Sequence, residues 1–500
     1  MGGSQSSLPP TPLGCEYMCI AIREPDKLRI ILGTDQEANI VRQIIQESWP
    51  MGIQKESFKL NGVYKFKLKG YPFETSSLTE AVHCRQMAER ILHRLHRNGW
   101  HLQISSDLTQ TKDLSTWFFR KVPEVTNISS QPFLVVGLSS SDSLMVLNAP
   151  VDLHQLLKNA ISKSWPNGIQ KWSYENDVLL IKLKGFPWCP DGFQTVHSRV
   201  VLQAIIHDLS QKQWHLYGNS NLKSTANTLF FKYEPDMSSS DVSQPLPPPW
   251  HFTISLNSND LLRVIDAPES LIPTIRDIIQ TSWFRGIQAV SRYAGSWEFK
   301  LKGTPWWADG AETVEARILI LKLMEILHAV GWSPIASIDS SRKVTDKSSL
   351  IFRQSQPRQS PFFCLSLHKT DTLRLINAPE DVARVCQEVI QTQYVLGVQK
   401  VRHYGNSLEF KLLGNPWRCG LNGHDGIHGR YMICQLFHAL AGLYWTPVIS
   451  ADLSAKYVEV NNQEIPVDVD SIFFKYDPAA VAALPPAFPP QAAYPLPPMF

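Results

Sequence analysis

One line of residues occurs four times in this chain, which makes tandem copies of one domain the expected architecture. The first copy reads Trp49-Pro50-Met51-Gly52-Ile53-Gln54, followed by Lys67-Leu68-Lys69-Gly70-Tyr71-Pro72-Phe73. It returns as Trp165 to Gln170 with Lys182 to Trp188, and as Trp283 to Gln288 with Lys300 to Trp306. The fourth copy, Tyr394 to Gln399 with Lys411 to Trp417, is the most divergent. The glycines Gly52, Gly168, Gly286 and Gly397 stand 116, 118 and 111 residues apart. Such intervals exceed the roughly 20–50 residues of a solenoid repeat and match the size of a domain. A chain of 500 residues with 43% hydrophobic and 19% charged residues can give each copy its own core.

Composition shifts set the boundaries. Residues 1–15 form a Gly/Ser-rich start, and the repeat modules span 16–122, 131–233, 250–354 and 361–477. Between the second and third lies 234–249, Ser-rich and ending Gln244-Pro245-Leu246-Pro247-Pro248-Pro249, a semi-rigid extended spacer. Its length suggests that the modules pair as one with two and three with four. Residues 478–500 are Pro-rich, with PxxP spacings at Pro486–Pro489 and Pro495–Pro498.

Within a module the apolar periodicity alternates between two and 3.6. In module 1, strands at Met18–Arg23 and Lys27–Leu32 flank the turn Glu24-Pro25-Asp26. A helix follows from about Gln36 to Trp49, with Ile40, Ile44 and Ile45 facing inward. Strands at Gly52–Phe58 and Val63–Lys69 meet at Asn61-Gly62, a hairpin signal. A second helix runs from about Thr79 to Asn98 and stops at Gly99. His101–Ser105 and Ser115–Arg120 close the unit as strands. The order ββαββαββ gives an α+β, two-layer module: an antiparallel sheet with helices on one face. On the fourth strand Tyr64, Phe66 and Leu68 point one way and Lys65, Lys67 and Lys69 the other. The sheet is therefore expected to turn a charged face to solvent.

Polar positions kept by four copies are the candidate sites. Gln54, Gln170, Gln288 and Gln399 recur in a strand, as a tie to neighbouring backbone or as a ligand contact. Arg85, Arg199, Arg317 and Arg430 recur early in the second helix. They fit either a tie to the carbonyls after Gly-x-Pro or a bidentate phosphate or carboxylate site. Lys67, Lys182, Lys300 and Lys411 recur on the outward side of the fourth strand. They fit cross-strand Lys–Glu pairs or a basic face for anionic lipid or an acidic partner. Asp107, Asp339 and Asp452 follow the fifth strand in three copies, where turn or capping roles suffice. His424, Asp425 and His428 have metal-compatible spacing, but Gly423, Gly426 and Gly429 argue for a loop, so no metal is expected.

The start of the chain carries a second signal. Met1-Gly2-Gly3-Ser4-Gln5-Ser6 fits the N-myristoylation pattern, which needs Gly2 because only an unsubstituted Cα enters a narrow acyl-transfer site. One myristoyl chain holds a membrane marginally, and Cys15 is the nearest candidate for a second acyl group. The eight cysteines form no CxxC pair and differ in position between copies, as befits reduced thiols in a cytosolic protein. No run reaches about 18 apolar residues; the best, Tyr431–Trp445, carries Gln435 and His438.

Walker A, GxGxxG, HExxH and GxSxG patterns are absent from the sequence, so no enzyme chemistry and no cofactor are expected. A net charge of +3 disfavours a nucleic-acid binder, although Trp and Tyr interleaved with Lys are compatible with base stacking. The reading is a myristoylated scaffold or adaptor on the cytosolic side of a membrane. Its modules and Pro-rich tail would hold protein partners and its N-terminus the membrane surface. The alternative is a four-module binder of small phosphate or carboxylate ligands, built on the Gln and Arg positions.

Overall fold

A computed structural model describes residues 15–59, 62–75, 77–109, 113–122, 130–175, 177–222, 227–235, 250–340, 347–418, 424–454, 457–460, 463–466 and 468–479. Gly2, Asn61, most of the 234–249 spacer and the PxxP segments lie outside the described residues.

Module 1 contains strands Tyr17–Arg23 and Lys27–Ile31, helix Asp35–Ser48, strands Ile53–Lys59 and Val63–Leu68, helix Leu78–Arg97, and strands Trp100–Ser106 and Asp113–Lys121. Local chemistry sets these limits. Thr34 and Glu37 form a capping box at the first helix. Ser77 caps the second, and Gly99 leaves it at φ +79°. The six strands form one antiparallel sheet, ordered third, fourth, second, first, sixth, fifth, and the other three modules repeat that order. Eight α-helices, two per module, make the described chain an α+β protein of four tandem modules. Module 4 adds a short hairpin, Tyr457–Val460 with Gln463–Pro466, before its last strand.

The recurring line is a local clamp. The residue before it closes the first helix, and the left-handed glycine, φ +69° at Gly52, turns the chain into the third strand. The Trp49 indole donates to Lys69 O at 2.8 Å, and Trp165 and Trp283 make the same bond. In the fourth copy the Tyr394 hydroxyl substitutes, reaching Leu413 O at 2.7 Å. The aromatic after Gly-x-Pro ties the loop to the first turn: Trp188, Trp306 and Trp417 each donate an indole N–H to the start of the second strand.

The sheets do not turn a charged face to solvent at their centres. The first strand is buried on both sides: Met18, Ile20 and Ile22 pack on module 1's own helices, while Tyr17 and Cys19 join the core of module 4. Likewise Phe133 and Val135 of module 2 belong to module 1's core, and Phe362 and Cys364 of module 4 to module 3's. Every core therefore spans a junction. The second helix of each module lies on the first strand of the next, and the second helix of module 4 lies on module 1. The four fifth strands, Trp100–Ser106, Trp214–Asn221, Trp332–Ile338 and Trp445–Ala451, meet their neighbours around a central axis. The modules thus close into a pseudo-fourfold ring rather than two pairs. Alternation on the fourth strand is real, since Lys65 and Lys67 are half-exposed, although Val63 at its start joins the core of module 4.

Equivalent ends lie on one face of the ring. The starts of the first strands and the ends of the sixth strands share a face, which carries Cys15, the module joints and Asp477. The opposite face carries the first turns, the Gly-x-Pro loops and the N-termini of the second helices.

The expected loop at His424–Gly429 is instead the start of a helix, His424–Gly442. Gly429 is there for closeness: a Cβ would stand 3.0 Å from Pro416 Cβ and 3.1 Å from the Trp417 ring. No helix among the described residues is long and apolar enough to cross a membrane.

Candidate functional site

The recurrent arginines hold the ring together. Arg199 of module 2 donates from Nε to Ser349 Oγ of module 3 at 2.9 Å. Arg317 reaches Ser471 of module 4 at 3.0 Å, and Arg430 reaches Thr116 of module 1 at 2.9 Å. Each also ties Nη1 to the carbonyl four residues earlier in its own helix, at Thr195, Thr313 and Gly426. All three are buried, so the guanidinium donors are satisfied away from water.

Arg85 departs from this pattern. It donates to Ala81 O at 3.2 Å and to Leu138 O at 2.9 Å. The hydroxyl at the latch position, Thr228 Oγ1, is buried without a hydrogen-bond partner among the described residues. Gly137 makes room for the change, because a Cβ there would lie 2.1 Å from Arg85 Nε.

The recurrent lysines each meet an aspartate in the first turn of their own module. The pairs are Lys67–Asp26 at 3.6 Å, Lys182–Asp142 at 3.4 Å, Lys300–Asp260 at 2.6 Å and Lys411–Asp371 at 2.8 Å. These partners are aspartates of the turn rather than cross-strand glutamates, and each offsets the positive charge a lipid face would need.

The recurrent glutamines are exposed. All four occupy a β-bulge, the position at which the third strand skips its partner: Gln54 between Ile53 and Lys55, Gln170 between Ile169 and Lys171, Gln288 between Ile287 and Ala289, and Gln399 between Val398 and Lys400. Gln54 and Arg85 do not share a cavity: the glutamine is on the outer edge strand, the arginine at the inner junction.

Around the axis the structure collects Asp107, Asp339 and Asp452, with Asn221 at the same place in module 2. Burial, with Asp470 and Asp452 nearby, pushes the Asp107 carboxyl up to about 8. Asp470 is also raised by burial, though it accepts from Asp107 N at 2.8 Å and Ser450 Oγ at 2.9 Å. Among the described residues no cluster is suited to a metal ion.

Sequence reasoning passed over two further sets of junction residues. Glu89, one turn after Arg85, accepts from Phe133 N at 2.9 Å, and burial raises it to about 7. Gln203, at the same place in module 2, bonds His251 O and Asp266 at 3.1 Å. Histidines also line the junctions: the tilted rings of His96 and His101 lie 4.2 Å apart, and burial lowers them to about 3 and about 4. The signal was spacing along the second helix: Glu89 and Gln203 follow Arg85 and Arg199 by four residues, and His96 and His328 follow Arg85 and Arg317 by eleven. Two clefts open between modules, one of about 440 Å³ beside Trp250 and Trp297, the other of about 580 Å³ beside Arg85 and Trp172.

Cys15 is half-buried against module 4, its thiol donates to Tyr17 O, and burial raises it to about 11. A thiol in that state is a poor nucleophile for acylation. The seven cysteines among the described residues are free thiols.

A family model for one protein domain matches the chain four times, at residues 16–120, 132–238, 250–353 and 361–475, so the chain belongs to that family and carries four copies of its domain. No curated protein and no solved structure matches it.

Proposed function

We propose that this protein is a membrane-tethered scaffold in which a closed, rigid ring presents partner-binding segments close to a lipid surface. The observation that carries the reading is the use of the recurrent polar residues. The arginines latch three of the four junctions and the lysines pair within their own modules, so these recurrent charges serve the ring and the module fold. The recurring indoles Trp49, Trp165, Trp188, Trp283, Trp306 and Trp417 are buried, so the aromatics that the copies share do not offer their faces to bases. Cys15 and Asp477 leave the ring on one face, so an acyl group at Gly2 and the Pro-rich segment beyond residue 478 would act on the same side.

A single myristoyl chain binds weakly, and paired lysines add little to it. Firm attachment then needs a partner held by the PxxP segments, which makes membrane residence a two-signal event.

The test is metabolic labelling with a myristate analogue, comparing the native chain with Gly2→Ala and with a chain ending at residue 479. The native chain should be labelled and pellet with membranes, Gly2→Ala should be unlabelled and soluble, and the shortened chain labelled but largely soluble. An unlabelled native chain would sink the proposal.

A further inference from the structure

The pseudo-fourfold ring supplies an internal control for each junction. Where module 2 meets module 3, Arg263 crosses the sheet and donates to Thr195 Oγ1 of the preceding helix at 2.9 Å. It pairs with Glu298 at 2.7 Å and lies 4.0 Å from the Tyr293 ring centroid. Arg374 repeats this at the next junction with Thr313, Glu409 and Tyr404. Arg29 stands at the same register in module 1 but faces Lys65, with Gly426 in place of the threonine, so the full set occurs at two of the four junctions. In module 2 that register holds Met145, opposite Leu180 instead of a glutamate. Ala81 replaces the threonine and Glu175 the tyrosine. The plug is missing, and a cleft of about 580 Å³ occupies this junction.

Its lining has the make-up of a small-molecule site, and its volume falls within the roughly 300–1,000 Å³ typical of one. Arg85, Lys171 and Lys182 face it against the single acid Glu175, with Ser139 and Ser143 as hydroxyl donors. Asp142 offsets part of the Lys182 charge at 3.4 Å. The N-terminal turn of helix Leu78–Arg97 adds its positive end. Leu138, Leu180 and Trp172 form the apolar wall, with the Lys158 ammonium 3.7 Å from the Trp172 ring centroid. Arg85, drawn away from the latch position, lies at the cationic side.

We propose that this cleft binds one amphipathic anion, a carboxylate or phosphate head on an apolar body. The head meets Arg85, Lys171 and Lys182, and the body lies on Trp172 and Leu180. The apolar wall sets this junction apart, since Glu56 and Lys65 stand in module 1 where module 2 has Trp172 and Leu180, so one ligand binds per ring.

The test is calorimetric titration of the full chain with decanoate, decyl phosphate and decanol, below their micelle-forming or solubility limits. At least one of the two anions should bind once per chain, with decanol about tenfold weaker or more, a difference of about 1.4 kcal/mol. The tighter anion identifies the head group. Met145→Arg/Leu180→Glu restores the Arg–Glu pair found at the two following junctions; it should keep the melting temperature and weaken anion binding at least about tenfold. Lys171→Gln, half-removed from the ring contacts, should weaken binding without loss of fold. Failure of both anions to bind, equal binding of decanol, or unchanged binding by the plugged variant would each overturn the proposal.

Discussion

Arg430 and Thr116 are 314 residues apart in sequence, yet the Arg430 guanidinium donates to the Thr116 hydroxyl at 2.9 Å. The bond joins the last module to the first and turns a string of four domains into a ring. Phe437, two helical turns further on, packs at the same seam, 4.9 Å from Phe118 and 5.9 Å from Tyr17 between ring centroids.

Removing the hydroxyl should therefore cost stability only where it accepts an arginine. Thr116→Val strips Arg430 of a buried acceptor and is expected to lower stability by about 1–3 kcal/mol. Thr228→Val, at the equivalent place in module 2, removes a buried hydroxyl that has no partner among the described residues. It should be neutral or stabilising. Chemical denaturation of the two variants checks the contrast, and equal losses would show that Thr228 is used after all.

Two positions of the recurring line separate backbone need from side-chain use. Gly168 has φ +72° with nothing within 4 Å of a would-be Cβ, so Gly168→Ala should cost about 1–2 kcal/mol from the left-handed backbone alone. Gln170, two residues on, is exposed on the bulge. Gln170→Ala should stay within about 0.5 kcal/mol. A loss above that would mean the glutamine has a partner outside the chain's own contacts.

Stability should fall on both sides of mildly acidic pH. His96 and His101 have folded values near 3 and 4, below the ordinary 6.5. The unfolded chain takes up their protons first, so their contribution is full above the unfolded value and is lost as pH falls towards the folded ones. Glu89 and Asp107 have folded values near 7 and 8, above the ordinary 4.5 and 3.8. Their neutral forms favour the fold, so that contribution is full at low pH and lost as pH rises to about 8. Melting temperature against pH should be dome-shaped. Asp107→Asn should raise the alkaline limb and leave the acid limb in place; an unchanged alkaline limb would refute the role given to Asp107.

The module was legible and the ring was not, for one physical reason. Alternation on Val63–Leu68 and the turn glycines are local signals, and they carry the strand order through each copy. Ring closure depends on Tyr17–Arg23, an uninterrupted apolar run whose second buried face is filled by a helix from the far end of the chain. Such a run says that a strand is covered on both sides but not by what. The arginines were found by recurrence, yet their partners are single hydroxyls about 150–314 positions away, invisible to spacing. The third junction set, Arg263 and Arg374, escaped notice because Met145 breaks the recurrence where it matters most for the cleft.

Cys15 can report on the last seam. Its thiol is half-buried against module 4, bonded to Tyr17 O and raised to about 11, so very little thiolate exists near neutral pH. The neighbouring Glu16 N–H donates to His438 Nδ1 at 3.4 Å, which holds this stretch on the second helix of module 4. Loosening the Arg430 latch should free it. In a background with Cys189 and Cys419 changed to serine, iodoacetamide should label Cys15 slowly in the native ring and at least about tenfold faster in Arg430→Gln, as the thiol returns towards its ordinary value. Mapping the label by peptide mass distinguishes Cys15 from the buried thiols Cys19, Cys84, Cys364, Cys386 and Cys434. Equal rates in both chains, with the fold intact, would mean that the apolar contacts of Tyr17, Phe118 and Phe437 close the ring without the latch.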